Sequence, residues 1–141
     1  MAHQTESHGS GPESSGATAG GWDAELVPDP GGRTRRPEPD CPVELALAAV
    51  AGRWTTLVLR ELMQGPLSFG DLEARLPEIS PKVLTERLRA LERRGLAVRE
   101  RLAGFPVRTR YRLTPAGAGL RSLLMELYRT GVELARTEAG R

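Results

Sequence analysis

Histidine is missing from the body of this chain: its two copies, His3 and His8, both lie near the start. No imidazole is left elsewhere to act as general base or zinc ligand, which excludes a Ser/His/Asp triad or a structural zinc site there. Cysteine occurs once, as Cys41, so no internal disulfide can form, a usage that fits a reducing compartment. No apolar run approaches the roughly 18 residues of a membrane span, and the first residues lack the basic-then-apolar pattern of a targeting segment. A soluble, cytoplasmic protein with no membrane partner is the expectation. Glycine-rich phosphate loops and paired-carboxylate motifs are absent as well, so the expectation is no enzyme activity, no metal and no cofactor.

What is present is charge, unevenly placed. Residues 1–40 hold 3 basic and 7 acidic side chains, while residues 41–141 hold 17 basic against 11 acidic. Within residues 82–112 the count is 10 basic to 3 acidic. Such clustering favours a polyanionic partner more strongly than the overall net charge of +2 would. Residues 1–40 are rich in Gly, Ser, Pro and Glu and poor in large apolar residues beyond Trp22, Leu26 and Val27. They cannot bury enough surface to offset their ordering entropy, so a disordered tail is expected there and a folded domain over residues 41–141.

The most strongly patterned stretch is ISPKVLTERLRALERRGL, residues 79–96. Ser80 suits an N-cap and Pro81 the first helical position. Ile79 and Leu84 have the spacing of a hydrophobic staple, and Gly95 can take the left-handed conformation that stops a helix. Leu84, Leu88 and Leu91 share an apolar stripe, and Lys82, Glu86, Arg89 and Arg93 fall opposite, flanked by Val83, Thr85 and Arg87. Taken alone, this is equally a solvated amphipathic surface helix.

Its neighbours decide. Pro42 opens a first helix with Val43, Leu47 and Val50 on an apolar face, closed by Gly52. Residues 54–64 read as a second helix, ended by Gly65-Pro66, with Trp54, Leu57, Val58 and Leu62 as a core wall. Ser68, with Asp71 three residues on, caps a third helix that Pro77 ends. Only Glu78 and Ile79 separate it from Ser80, the spacing of a helix-turn-helix. Beyond Gly95 the apolar period drops to two, predicting a β-hairpin over LAVRERL and VRTRYRL with its turn at residues 103–106. Five arginines, Arg99, Arg101, Arg108, Arg110 and Arg112, are expected on one of its faces. Charge on an exposed hairpin can also serve only to block edge aggregation. Thr114-Pro115 opens a last helix running to about Thr137. Its Leu120, Leu124, Leu127 and Leu134 predict packing on a second subunit, with folding back onto its own domain as the alternative.

The fold class that follows is α+β, mainly helical: a winged helix-turn-helix with a C-terminal dimerisation helix. A protruding helix fits the major groove of B-DNA, about 12 Å wide, and a basic hairpin beside it can reach the backbone or the minor groove. The chain resembles the HxlR family of bacterial transcriptional regulators, relatives of the MarR winged-helix group. The resemblance rests on CPVE (41–44), GRW (52–54), LRELMQGPLSF (59–69), LPEISPKVLTERLRALERRGL (76–96) and YRLTPAG (111–117). Departures are Phe105-Pro106-Val107, where the family usually has paired prolines, Arg110, where an acid is common, and Thr130, where tryptophan is frequent.

The resemblance implies a homodimeric, sequence-specific binder of double-stranded DNA that represses, or sometimes activates, nearby genes. The candidate DNA-binding residues are Ser80, Lys82, Thr85, Arg87, Arg89, Arg93, Arg108 and Arg110, and the candidate dimerisation residues are Leu120, Leu124, Leu127 and Leu134. Cys41 matches the cysteine through which some members sense oxidants or electrophiles. A helix N-terminus favours thiolate, in keeping with that role, while a small half-buried thiol is the alternative. The rival reading from another class is a winged-helix module whose basic face meets an acidic protein.

Overall fold

The computed structural model of the protein describes Gly21 and residues 23–140. Two compact units divide the chain, Met1–Leu45 and Ala46–Arg141. Of the stretch expected to be disordered, residues 1–20 and Trp22 lie outside the described residues. Within the rest, the Asp23 carboxylate accepts from the N–H groups of Glu25 and Leu26, and the Asp29 carboxylate caps a short 3-10 turn, Pro30–Gly32.

The second unit takes in the end of the first helix and every later element, and three of its helices begin at side-chain caps, Ser68, Ser80 and Thr114. Helix α1 spans Pro42–Val50, α2 Thr55–Leu62, α3 Phe69–Arg75 and α4 Pro81–Arg93. Strands β1 (Ala97–Leu102) and β2 (Arg108–Leu113) follow, then α5 (Pro115–Ala118) and α6 (Arg121–Ala139). A single core joins α2, α3 and α4 to the base of the hairpin: Val58, Leu59, Leu62, Leu72, Leu76, Leu84, Leu88 and Leu91 are all buried. Leu67, between α2 and α3, exchanges both backbone hydrogen bonds with Tyr111 (2.9 and 2.7 Å) and so ties the sheet to the helices. This is a winged helix-turn-helix, as expected. No single helix among the described residues is long and apolar enough to cross a membrane.

Three expectations change. Val43 and Leu47 of α1 are exposed, and of its predicted face only Val50 packs on the core. The last helix is broken: α5 ends at Ala118 and α6 begins at Arg121. Gly117 is buried so tightly that a Cβ there would stand 2.0 Å from the Leu96 carbonyl oxygen, which anchors α5 to the start of the hairpin. Leu96 also accepts the Thr114 N–H, so the chain is held at this point before α6 departs.

The third change concerns the hairpin. Residues paired across an antiparallel ladder share a face, because successive side chains alternate. The register pairs Val98 with Arg112, Glu100 with Arg110 and Leu102 with Arg108, while Arg99 faces Tyr111 and Arg101 faces Thr109. The five arginines are therefore split: Arg108, Arg110 and Arg112 lie on one face, Arg99 and Arg101 on the other. Residue parity is meaningful only within one strand, and the turn sets which parity of β2 meets which parity of β1.

Candidate nucleic-acid interface

Helix α4 is fixed at both ends. The Ser80 hydroxyl accepts from the Val83 N–H (3.2 Å), Pro81 occupies the first turn, and the staple pair Ile79 and Leu84 are both buried. At the other end Gly95 takes φ +71°. Its N–H donates to Glu92 and that of Leu96 donates to Leu91 (both 2.9 Å), the paired bonds of a Schellman motif. With Leu84, Leu88 and Leu91 buried beneath it, the helix can neither slide nor roll, and its far face presents Lys82, Glu86, Arg89 and Arg93 to solvent.

The flanking residues are committed differently. Thr85 donates its hydroxyl to the Pro81 carbonyl (2.8 Å). Arg87 is half-buried, and its Nε donates to the carbonyl of Arg53 (2.7 Å). That carbonyl belongs to the turn between α1 and α2, where Gly52 (φ +99°) and Trp54 (φ +79°) both have left-handed backbone. Arg87 thus ties α4 to this turn rather than standing free beside Arg89.

The partner helix of the motif is equally well anchored. Ser68 and Asp71 form a reciprocal capping box (3.0 and 3.1 Å) at the start of α3. The Ser68 backbone N–H, and then its hydroxyl, hold the Asp71 carboxyl below its ordinary value. Buried Glu61 on α2 accepts from Arg60 (2.9 Å) and from Arg75 on α3 (3.4 Å), and Gln64 also accepts from Arg75 (3.1 Å). This network sets the angle at which α3 meets α2, and hence where α4 emerges.

On the wing, Glu100 sits between two arginines. It accepts from Arg110 Nε at 2.8 Å through one oxygen and from Arg112 Nε through the other. Arg112 and then Arg110 hold its carboxyl below the ordinary range. Arg108 is exposed, as are Arg99 and Arg101 on the opposite face, and none of the three is ion-paired among the described residues. Arg99 and Arg101 share their face with Ala97, Tyr111 and Leu113, which pack on the helices, but are themselves exposed. Strand pattern alone missed both as distinct from Arg110, and only the pairing register separates them. At the tip Phe105 is completely exposed.

The remaining candidates divide as follows. Leu120 and Leu124 pack partly buried against the domain's own core, the alternative weighed for the last helix, whereas Leu127 and Leu134 are 45% and 60% exposed. Between α2 and α6 runs a groove of about 570 Å³, lined by Leu57, Met63, Leu124, Met125, Leu127 and Tyr128. Cys41 lies directly before α1, and its carbonyl accepts the Leu45 N–H (2.9 Å) as an N-cap residue's does. Its side chain is only 6% exposed, with the Thr34 hydroxyl 4.0 Å from the sulfur. Among the described residues no cluster of His, Cys, Asp or Glu could hold a metal ion.

Known proteins share this arrangement. A family model for the HxlR-like helix-turn-helix matches residues 49–139. The HTH-type transcriptional regulator YvaP of Bacillus subtilis (strain 168) is 37% identical over 94 residues, covering 66% of this chain and 87% of YvaP. A crystal structure of a MarR-family transcriptional regulator from Enterococcus faecalis V583 superposes with a TM-score of 0.64 at 34% identity, covering 77% of this chain and 99% of that one. The reduced form of the transcriptional regulator YodB from B. subtilis gives a TM-score of 0.59 at 34% identity, covering 63% and 88%. YodB is also solved diamide-treated and quinone-bound.

Proposed function

The chain belongs to the HxlR-like helix-turn-helix family of transcriptional regulators, and from that premise we propose that it is a homodimeric, sequence-specific repressor of a nearby operon. Residues 41–141 form the DNA-binding domain, and residues 1–40 are an appended tail. The observation that carries the reading is α4: capped at both ends, seated on three buried leucines, with Lys82, Arg89 and Arg93 on its open face. Such a helix enters the major groove without paying to order itself, its long side chains reaching base edges and phosphates. Ser80, Lys82, Thr85 and Arg89 approach the groove, and Arg93 and Arg108 meet the backbone. Arg87 and Arg110 act indirectly, through Arg53 and Glu100 respectively.

Two copies come together through the exposed leucines of α6, Leu127 and Leu134, and each closes the groove between α2 and α6 of the other. The dimer responds to oxidants or electrophiles through Cys41, a reading supported by its place at the start of α1 and by the quinone-bound and diamide-treated forms of YodB. Because the thiol is buried, such a reagent reaches it only when the segment around it opens.

Fluorescence anisotropy with DNA from upstream of the protein's own gene, against a scrambled duplex over a range of salt, tests the core of this reading. Preference for the upstream DNA supports it. Equal affinity at every salt concentration would favour the basic face meeting an acidic protein instead. For the sensor, operator binding lost on mild diamide treatment should persist in Cys41→Ser, and equal loss in both proteins removes Cys41 from that role.

A further inference from the structure

The wing holds twelve side chains in six cross-strand pairs, and one of them is a carboxylate placed between two of the arginines. We infer that Glu100 determines which wing arginines engage DNA: it holds Arg110 and Arg112 in a fork of ion pairs and leaves Arg99, Arg101 and Arg108 as the phosphate-contacting set. This rests on the DNA-binding reading above and goes beyond it.

The argument is one of competition. Carboxylate and phosphate present the same paired-oxygen acceptor to a guanidinium. An arginine already donating Nε to a carboxylate must give up that charge-assisted bond to reach a phosphate, so its net gain from DNA is small. Arg110 and Arg112 are in that position, each donating Nε to a separate oxygen of Glu100. All three side chains of the trio are partly covered, at 42%, 44% and 27% exposure, which makes the pairs harder for water to dissolve than those of a fully exposed surface bridge. Arg99, Arg101 and Arg108 have no such competitor among the described residues and remain exposed. Non-specific affinity follows the number of phosphates contacted, so a carboxylate that withdraws two guanidiniums lowers binding to every sequence alike. It leaves readout by α4 untouched, and Glu100 is therefore a specificity-determining residue that touches no base.

The test is the slope of log K against log salt on a random-sequence duplex, measured for the full chain. Each phosphate contact adds about 0.9 to the slope, or about a threefold change in affinity across a fourfold change in salt. Arg99→Gln and Arg101→Gln should each flatten the slope by about one contact, whereas Arg110→Gln should leave it unchanged, because Arg112 still satisfies Glu100. Glu100→Gln should steepen it by one to two contacts and narrow the ratio of operator to random affinity. Arg110→Gln flattening the slope as much as Arg99→Gln overturns the inference, as does an unchanged slope in a folded Glu100→Gln protein. If Glu100→Gln fails to fold, the contrast between Arg99→Gln and Arg110→Gln still decides. Absence of any DNA binding by the wild-type protein overturns the DNA-binding reading itself, a result distinct from normal binding with unaltered slopes.

Discussion

Arg87 and Arg89 stand two positions apart on α4, yet their guanidiniums have different work. Arg87 is held by the Arg53 carbonyl, while Arg89 projects from the open face with no hydrogen-bond or ion-pair partner among the described residues. Arg89→Ala is expected to cost about 1–3 kcal/mol on operator DNA and far less on scrambled DNA, the signature of a base contact. Equal losses on both sequences in an anisotropy titration would move Arg89 to the phosphate set. Gly117 shows the opposite kind of constraint, one imposed by backbone. A methyl group there meets the Leu96 carbonyl at 2.0 Å, and neither partner is a flexible side chain that could swing aside. Gly117→Ala should therefore destabilise the domain by at least the 1–3 kcal/mol typical of overpacking, read as a lowered midpoint in urea.

At the scale of elements, the cap of α3 and the ion pairs of the wing depend on carboxylate chemistry in a way that pH exposes. The Asp71 carboxyl, held below its ordinary 3.8 by Ser68, binds protons less readily folded than unfolded. The capping box is thus fully stabilising above that ordinary value, and its contribution is lost as pH falls through the lower folded one. Glu100 behaves alike relative to its ordinary 4.5. Thermal melts should accordingly lose stability below about pH 4.5, and Asp71→Asn should flatten the Asp71 part of that acid limb while lowering stability at neutral pH. An Asp71→Asn limb as steep as wild type would show that the box does not matter to folding.

The helix ends were legible in the sequence because caps are local: Ser68, Ser80, Pro81 and Gly95 each act on neighbours within a few residues, and the structure places α3 and α4 between them. So was the buried face of α4, which periodicity alone requires; on α2 the expected wall is buried at Val58 and Leu62, whereas Trp54 and Leu57 are only partly buried and Leu59, outside that wall, is fully buried. The faces of the hairpin were not, since they depend on the pairing of β1 with β2, which a strand-by-strand pattern does not contain. The break between α5 and α6 was hidden for the same reason. At that break the Leu120 N–H donates to the Gly117 carbonyl (3.1 Å), and Gly117 itself is held against Leu96, about twenty positions away in the chain. For the candidate site, residue types on α4 were readable, but the partners that occupy Arg87 and Arg110 were not, because Arg53 and Glu100 are brought to them only by the fold.

For the whole molecule, the issue is what one copy leaves uncovered. Helix α6 has 19 residues, and its first turns are covered by the domain's own core through Leu120 and Leu124. Beyond them Leu127, Tyr128 and Leu134 are 45%, 76% and 60% exposed, more apolar surface than a solvated helix ordinarily shows. A two-fold pairing of this segment would bury it and set two copies of α4 at a spacing near one turn of DNA, about 34 Å. Leu134→Glu and Leu127→Glu are expected to give a monomer in sedimentation equilibrium with the melting temperature of the isolated domain preserved. Leu124→Ala should behave in reverse: it weakens the domain's own packing, lowering stability within the chain. The consequence for DNA follows from linkage, because a monomer binds one half-site and must order its second copy on the duplex. Operator affinity of the glutamate variants should therefore fall steeply and become concentration-dependent, while a single half-site duplex is bound as by wild type. A Leu134→Glu protein that remains dimeric and binds operator normally would place the dimer contact elsewhere than on α6.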